Sequence, residues 1–182
     1  MPDLGKAWAF LENSDPVASA DEVQAAIRQV AAAVHDRLSS SYPLALVVMG
    51  GAVVFAGQLL PLLRFPLDLD YIHVSRYGAA TRGGGIDWRV QPPDGVRGRT
   101  VLVIDDILDG GQTLKAIRDR LLELQAERVL SAVLVEKKLS RARPIVADFV
   151  GLRIPDRFVF GCGMDAKGYW RNLPEIRAIR ED

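Results

Sequence analysis

The stretch Val101 to Leu114, VLVIDDILDGGQTL, constrains the chain more than any other. An apolar run leads straight into two adjacent carboxylates, then a third, then two glycines and a threonine that opens a helix. Consecutive branched residues suit a strand buried on both faces, the habit of a parallel sheet. Gly110 and Gly111 permit a tight turn. The amides that follow face outward at a helix N-terminus, where the partial positive charge favours a phosphate, and Thr113 adds a hydroxyl donor. Asp105 and Asp106 can accept from sugar hydroxyls or attract a hydrated Mg²⁺, while Asp109, one turn further on, faces another part of a ligand. No Lys precedes Thr113, so the pattern departs from the ATP-binding GxxxxGK(S/T) loop. The ligand expected here offers both phosphate and diol.

Around this stretch the chain alternates between strand and helix patterns. Ser19 and Glu22 have capping-box spacing, and Val23, Ile27, Val30, Val34 and Leu38 recur at helical intervals after them. Leu44 to Met49 reads as a buried strand ending at Gly50-Gly51, Ala52 to Leu63 as a helix and Asp68 to Val74 as a strand. Thr100 to Asp105 is a further strand, Leu114, Ile117, Leu121 and Leu124 share one helix face, and Arg128 to Val135 returns as a strand. The fold class is α/β, a central, mostly parallel sheet flanked by helices. From Arg141 onward short segments interrupted by Pro144, Pro155 and Pro174, including Asp148 to Gly151 and Phe158 to Gly161, suggest a small hood over the sheet. Tyr77 to Gly85 is rich in Gly and is expected to be a mobile loop. The whole, 1–182, is expected to be one domain, with a core near 20–140 and a hood near 141–182 to which N-terminal residues can contribute.

Composition narrows the function. The 23 Lys+Arg balance 23 Asp+Glu, which argues against a nucleic-acid partner gripped by a broad basic face. A phosphate held by backbone amides needs little side-chain charge. One cysteine, Cys162, excludes an intramolecular disulfide, and the first residues lack a basic start followed by an apolar core. No apolar run approaches the roughly 18 residues of a spanning helix. A cytoplasmic protein without a membrane partner is expected. His35 and His73 read as structural.

An acidic strand end also occurs in solvated loops and in phosphoryl-accepting receiver domains. A receiver carries its acidic pair on the first strand, whereas here about a hundred residues precede it and a glycine loop follows at once.

Val101 to Leu114 resembles the phosphoribosyl-diphosphate motif of type I phosphoribosyltransferases. Val48-Met49-Gly50-Gly51 resembles their pyrophosphate loop, and Ser75-Arg76-Tyr77-Gly78 the start of their flexible catalytic loop. Asp148-Phe149-Val150-Gly151 and Ile154-Pro155-Asp156-Arg157-Phe158-Val159 resemble the hood of the hypoxanthine-guanine branch, so that coverage runs from about residue 44 to about residue 173.

The resemblance implies transfer of a phosphoribosyl group from phosphoribosyl diphosphate to a 6-oxopurine, with Mg²⁺ as cofactor, in a homodimer or homotetramer. It assigns Asp105 and Asp106 to the ribose hydroxyls and to Mg²⁺, and Asp109 to the general base near purine N7. Asp109, Gly110, Gly111, Gln112 and Thr113 would hold the 5′-phosphate. Met49, Gly50, Gly51, Ser75, Arg76 and Arg171 would face pyrophosphate, with Tyr77 on the lid. Lys137 would donate to the purine 6-oxo group, Phe158 would stack on the ring, Val159 would pair with its edge, and Asp165 would serve the base and a second metal. A cis peptide is expected between Val48 and Met49, against the alternative of a plain glycine turn. Three positions depart from the family pattern: Met49 where Lys is frequent, Arg76 where Ser is frequent, and Gly110 where a hydroxyl residue is frequent. Two other readings stand beside this one, a xanthine-guanine enzyme and a phosphoribosyl-diphosphate-sensing regulator of RNA or DNA. The regulator would need a basic surface.

Overall fold

The computed structural model describes residues 3–76 and 86–180. Its elements run α1 (Leu4–Glu12), β1 (Ser14–Ala18), α2 (Ala20–Leu38), β2 (Leu44–Met49), α3 (Val53–Leu59), β3 (Asp68–Arg76) and β4 (Ile86–Val90). They continue with β5 (Thr100–Leu108), α4 (Gln112–Glu123), β6 (Arg128–Lys138), β7 (Phe149–Pro155), β8 (Val159–Phe160) and β9 (Ile176–Ile179). Tyr77, and the loop expected to begin at Ser75 and run to Gly85, lie outside the described residues from position 77 onward.

Six strands form one sheet in the order β4-β3-β2-β5-β6-β7, parallel except for the antiparallel edge strand β4. The apolar runs explain its centre: Val101, Leu102, Val103 and Ile104 are wholly buried, as are Ala45 and Leu46 of β2 beside them. Helix α2 packs on β6, β7 and α3, while α3 packs on β2 and β5, and α4 on β6. At the start of α2 the capping box closes as its spacing requires, with Ser19 Oγ accepting from Glu22 N and Glu22 accepting from Ser19 N at 2.8 Å. From β2 the chain crosses to β3 on one side, and from β5 it crosses to β6 on the other. The carboxyl ends of β2 and β5 therefore flank a topological switch point, where open α/β sheets form their ligand crevice.

The second sheet is antiparallel, β1-β9-β8. It explains what the first residues do: β1 pairs with β9, Arg177 donates to Ser14 Oγ at 2.7 Å, and Arg157 and Arg180 both reach Asp15 at 2.8 Å. Ahead of it, α1 rests on the hood, with Trp8 against Trp170 edge to face at 5.1 Å and Trp170 Nε1 donating to Ala7 O.

Two expectations are corrected and one strand is added. The second helix ends at Leu59 and tightens into a 3₁₀ turn over Leu60–Leu62, because Pro61 has no N–H with which to continue the helical hydrogen-bond ladder. The segment from Asp148 to Gly151, placed in the hood, instead leads into β7, which joins the main sheet beside β6. Its apolar residues cover α2, which a short run between prolines does not announce. Finally, β4 pairs with β3 where no strand was anticipated. Among the described residues no helix is long and apolar enough to cross a membrane.

Candidate active site

A cavity of about 300 Å³ opens at the switch point, lined by Val48, Met49 and Gly51 from the end of β2 and by Asp105, Asp106, Asp109, Gly111 and Thr113 from β5 and the turn into α4. Strand β5 carries the acidic pair into this crevice because it ends where its neighbour β2 turns away. Asp105 is buried and its carboxylate accepts from Asp106 N at 3.0 Å. Burial and then the adjacent Asp106 charge push Asp105 well above the usual carboxylate range. Burial raises Asp106 as well, offset in part by its hydrogen bond with Asp105 and by the Arg171 guanidinium. Two carboxylates held so are complementary to hydroxyl donors and to a cation.

Gly51 is required by this packing. A Cβ there would lie 1.8 Å from Asp106 Oδ2, so only glycine lets the turn after β2 pass beside the acidic pair. Gly163 makes the matching approach from the hood, with φ +98° and a would-be Cβ 1.8 Å from Gly51 O. The hood loop, the β2 turn and the β5 carboxylates thus touch in sequence.

The peptide bond between Met49 and Gly50 is cis, one bond beyond the Val48–Met49 link expected. The parallel ladder of β2 with β3 continues through Met49, opposite His73, so the chain turns only after that residue. Gly111 caps α4, and Lys115 N donates to Gly111 O at 3.0 Å. Gly50 and Gly110 lie in these turns and Gln112 is the first residue of α4, none of them lining the cavity. Ser75 ends near the edge pair, its Oγ donating to Asp87 Oδ2 at 3.3 Å, and Arg76 closes β3.

A second cavity of about 220 Å³ adjoins the first through Asp106, Ile107 and Asp109. Its other walls are Lys137, Phe158, Val159, Met164 and Asp165, so every residue assigned to the base faces one space. Lys137, at the end of β6, is nearly buried, and its ammonium sits 3.4 Å from both Asp109 Oδ2 and Asp156 Oδ1. Its neighbour Lys138 is exposed. Phe158 is about half exposed and lines this cavity, unlike a core phenylalanine such as Phe55, which is fully buried. Asp165 accepts from Arg171 Nη2 at 2.5 Å and from Gly168 N at 2.6 Å, while Arg171 Nη1 donates to Gly163 O at 2.6 Å. Among the described residues no three His, Cys, Asp or Glu side chains form a ready-made metal cage.

Sequence reasoning missed Ile107 and Met164 as walls and Asp156 and Arg143 as polar neighbours. Asp156 stands inside the motif Ile154 to Val159, whereas Arg143 has no local signal at all.

A parallel sheet whose switch point couples a buried acidic pair and a glycine turn to a hood-covered pocket defines a type I phosphoribosyltransferase. The chain belongs to the phosphoribosyl transferase domain family, whose pattern matches residues 17–167. It is 33% identical over 163 residues to the hypoxanthine-guanine phosphoribosyltransferase of Bacillus subtilis strain 168, covering 89% of this chain and 91% of that one. It is 31% identical to the enzyme of the same name from Aquifex aeolicus strain VF5 over 88% and 92% of the two chains. Among solved structures, a hypoxanthine phosphoribosyltransferase from Staphylococcus aureus superposes with a TM-score of 0.87 at 26% identity, over 94% of this chain and 95% of that one.

Proposed function

We propose that this chain transfers the 5-phosphoribosyl group from phosphoribosyl diphosphate to hypoxanthine or guanine, giving IMP or GMP and pyrophosphate. The observation that carries the reading is the convergence of Lys137, Asp109, Phe158 and Asp165 on one pocket that shares Asp106 and Asp109 with the phosphate-and-diol cavity. An ammonium donor facing the base favours a 6-oxo acceptor over the 6-amino group of adenine.

Each residue then has a chemical task. The turn from Asp109 to Thr113 receives the 5′-phosphate on backbone amides and the Thr113 hydroxyl. Asp105 and Asp106 accept from the ribose hydroxyls and orient the anomeric carbon toward the base pocket. Asp109 takes the proton at purine N7 as the N9–ribose bond forms and the bond to pyrophosphate breaks. Gly50 and Gly51 present backbone to the departing pyrophosphate, and Arg171 adds a cation to that side. Met49 supplies no charge there, so Arg171 carries more of the task.

The acidic pair also fits Mg²⁺: two adjacent carboxylates, one buried and one partly buried, repel one another until a cation or donors neutralise them, and such a hard ion keeps ligands from water and substrate. When bound, Mg²⁺ would screen the pyrophosphate charge, held on the protein side by Asp105 and Asp106, with Asp165 toward a second ion.

Product binding tests the assignment. In calorimetric titrations, IMP and GMP should bind more tightly than AMP, and Lys137→Met should erase the difference. Equal binding of AMP by the unaltered chain would overturn the base assignment.

A further inference from the structure

The parallel ladder between β5 and β6 ends at the pair Leu108 and Glu136. One residue further along each strand stand Asp109 and Lys137, where the strands part to form the base pocket. Arg143 spans that gap. Its Nε donates to Asp109 O at 2.5 Å and its Nη2 donates to Lys137 O, while Nη1 reaches Glu136 Oε1 at 3.4 Å. The β6–β7 connection is seated to deliver it: Pro144 Cδ and Ile145 Cγ2 lie 3.4 and 3.1 Å from where a Gly111 Cβ would stand, and a proline disfavours helical geometry in the residue before it. The Arg143 side chain is only 13% exposed, and Glu136, itself 15% exposed, neutralises its charge and is steadied by Arg153 Nε at 2.8 Å.

From this geometry we infer that Arg143 is a positioning residue for the base pocket, a clip that holds Asp109 and Lys137 at their working separation through their backbone carbonyls. Because its charge is balanced by Glu136, its contribution is directional. A planar guanidinium presents three fixed edges to two carbonyls and a carboxylate, which an ammonium cannot reproduce. In a trans peptide the carbonyl and the following N–H point opposite ways, so fixing Asp109 O also fixes the Gly110 N–H on the other side of the plane. The inference rests on the base assignment proposed above.

Steady-state kinetics with hypoxanthine and phosphoribosyl diphosphate test it, using Arg143→Met, Arg143→Lys, Lys137→Met and the double variant Arg143→Met with Lys137→Met, each with a thermal midpoint. Arg143→Met should lower kcat/KM for hypoxanthine on the order of 10- to 100-fold, the scale of small misplacements at a reacting centre. KM for the base should rise, and Arg143→Lys should recover only part. The double variant should lose clearly less than the product of the two single losses, because one of the two residues that Arg143 positions is already gone. A lowered midpoint with unchanged KM, or additive losses in the double variant, would make Arg143 merely structural and overturn the inference while leaving the base assignment intact. An unaltered chain that turns over no 6-oxopurine would overturn both.

Discussion

The Lys137 ammonium lies 3.4 Å from the Asp109 carboxylate, which joins the end of β6 to the turn after β5 across the base pocket. Lys137 is nearly buried, whereas about half of the Asp109 side chain is exposed. The lysine is therefore a fixed donor, and the carboxylate stays open to a ligand.

Replacing Lys137 with Met removes that donor. A hydrogen bond to a charged group contributes about 1.5–3 kcal/mol. The expected result is a fall in kcat/KM for hypoxanthine on the order of 10- to 150-fold, with KM for phosphoribosyl diphosphate nearly unchanged. Initial-rate assays at varied base and fixed cosubstrate measure it.

Asp109→Asn keeps the shape of the turn and removes the proton acceptor. General base catalysis contributes roughly 100- to 10,000-fold, and a loss of that size in kcat is expected. Binding of phosphoribosyl diphosphate, followed by calorimetry, should persist because the backbone amides remain. Full activity in this variant would refute the assignment.

Gly51→Ala places a methyl 1.8 Å from Asp106 Oδ2. Either the carboxylate or the β2 turn must shift, at a cost of roughly 1–3 kcal/mol for such overpacking. A lowered thermal midpoint and loss of turnover are expected together, since the displaced group belongs to the acidic pair.

Stability of the metal-free protein should carry the signature of Asp105. Its folded pKa is raised by burial and by the Asp106 charge, so the folded state holds a proton that the unfolded state releases. Stability then falls as pH rises from the ordinary carboxylate range through the raised folded value. Asp105→Asn mimics the neutral acid and should melt higher than the unaltered chain at neutral pH. The gap should close below the unfolded value. Melting curves at a series of pH values in chelator test this, and a gap that widens on acidification would contradict it.

The central strands and the acidic turn were legible because their signals are local: a branched apolar run, adjacent carboxylates and two glycines fall within Val101 to Leu114. Lys137 and Phe158 were legible through short motifs of a known family. What escaped depends on distant partners. Helix α1 is explained by Trp170, β1 by β9, and Arg143 by carbonyls on two other segments. The cis bond was misplaced by one residue because the strand register, set by β3, carries β2 through Met49.

The most direct measurement is nucleotide formation from phosphoribosyl diphosphate and Mg²⁺ with hypoxanthine, guanine, xanthine and adenine offered in parallel, beside a chelator control. Turnover of hypoxanthine and guanine that requires the metal, with adenine inert, is the expected result. Equal turnover of adenine, or no turnover of any base by a chain that still binds phosphoribosyl diphosphate, would contradict the assignment.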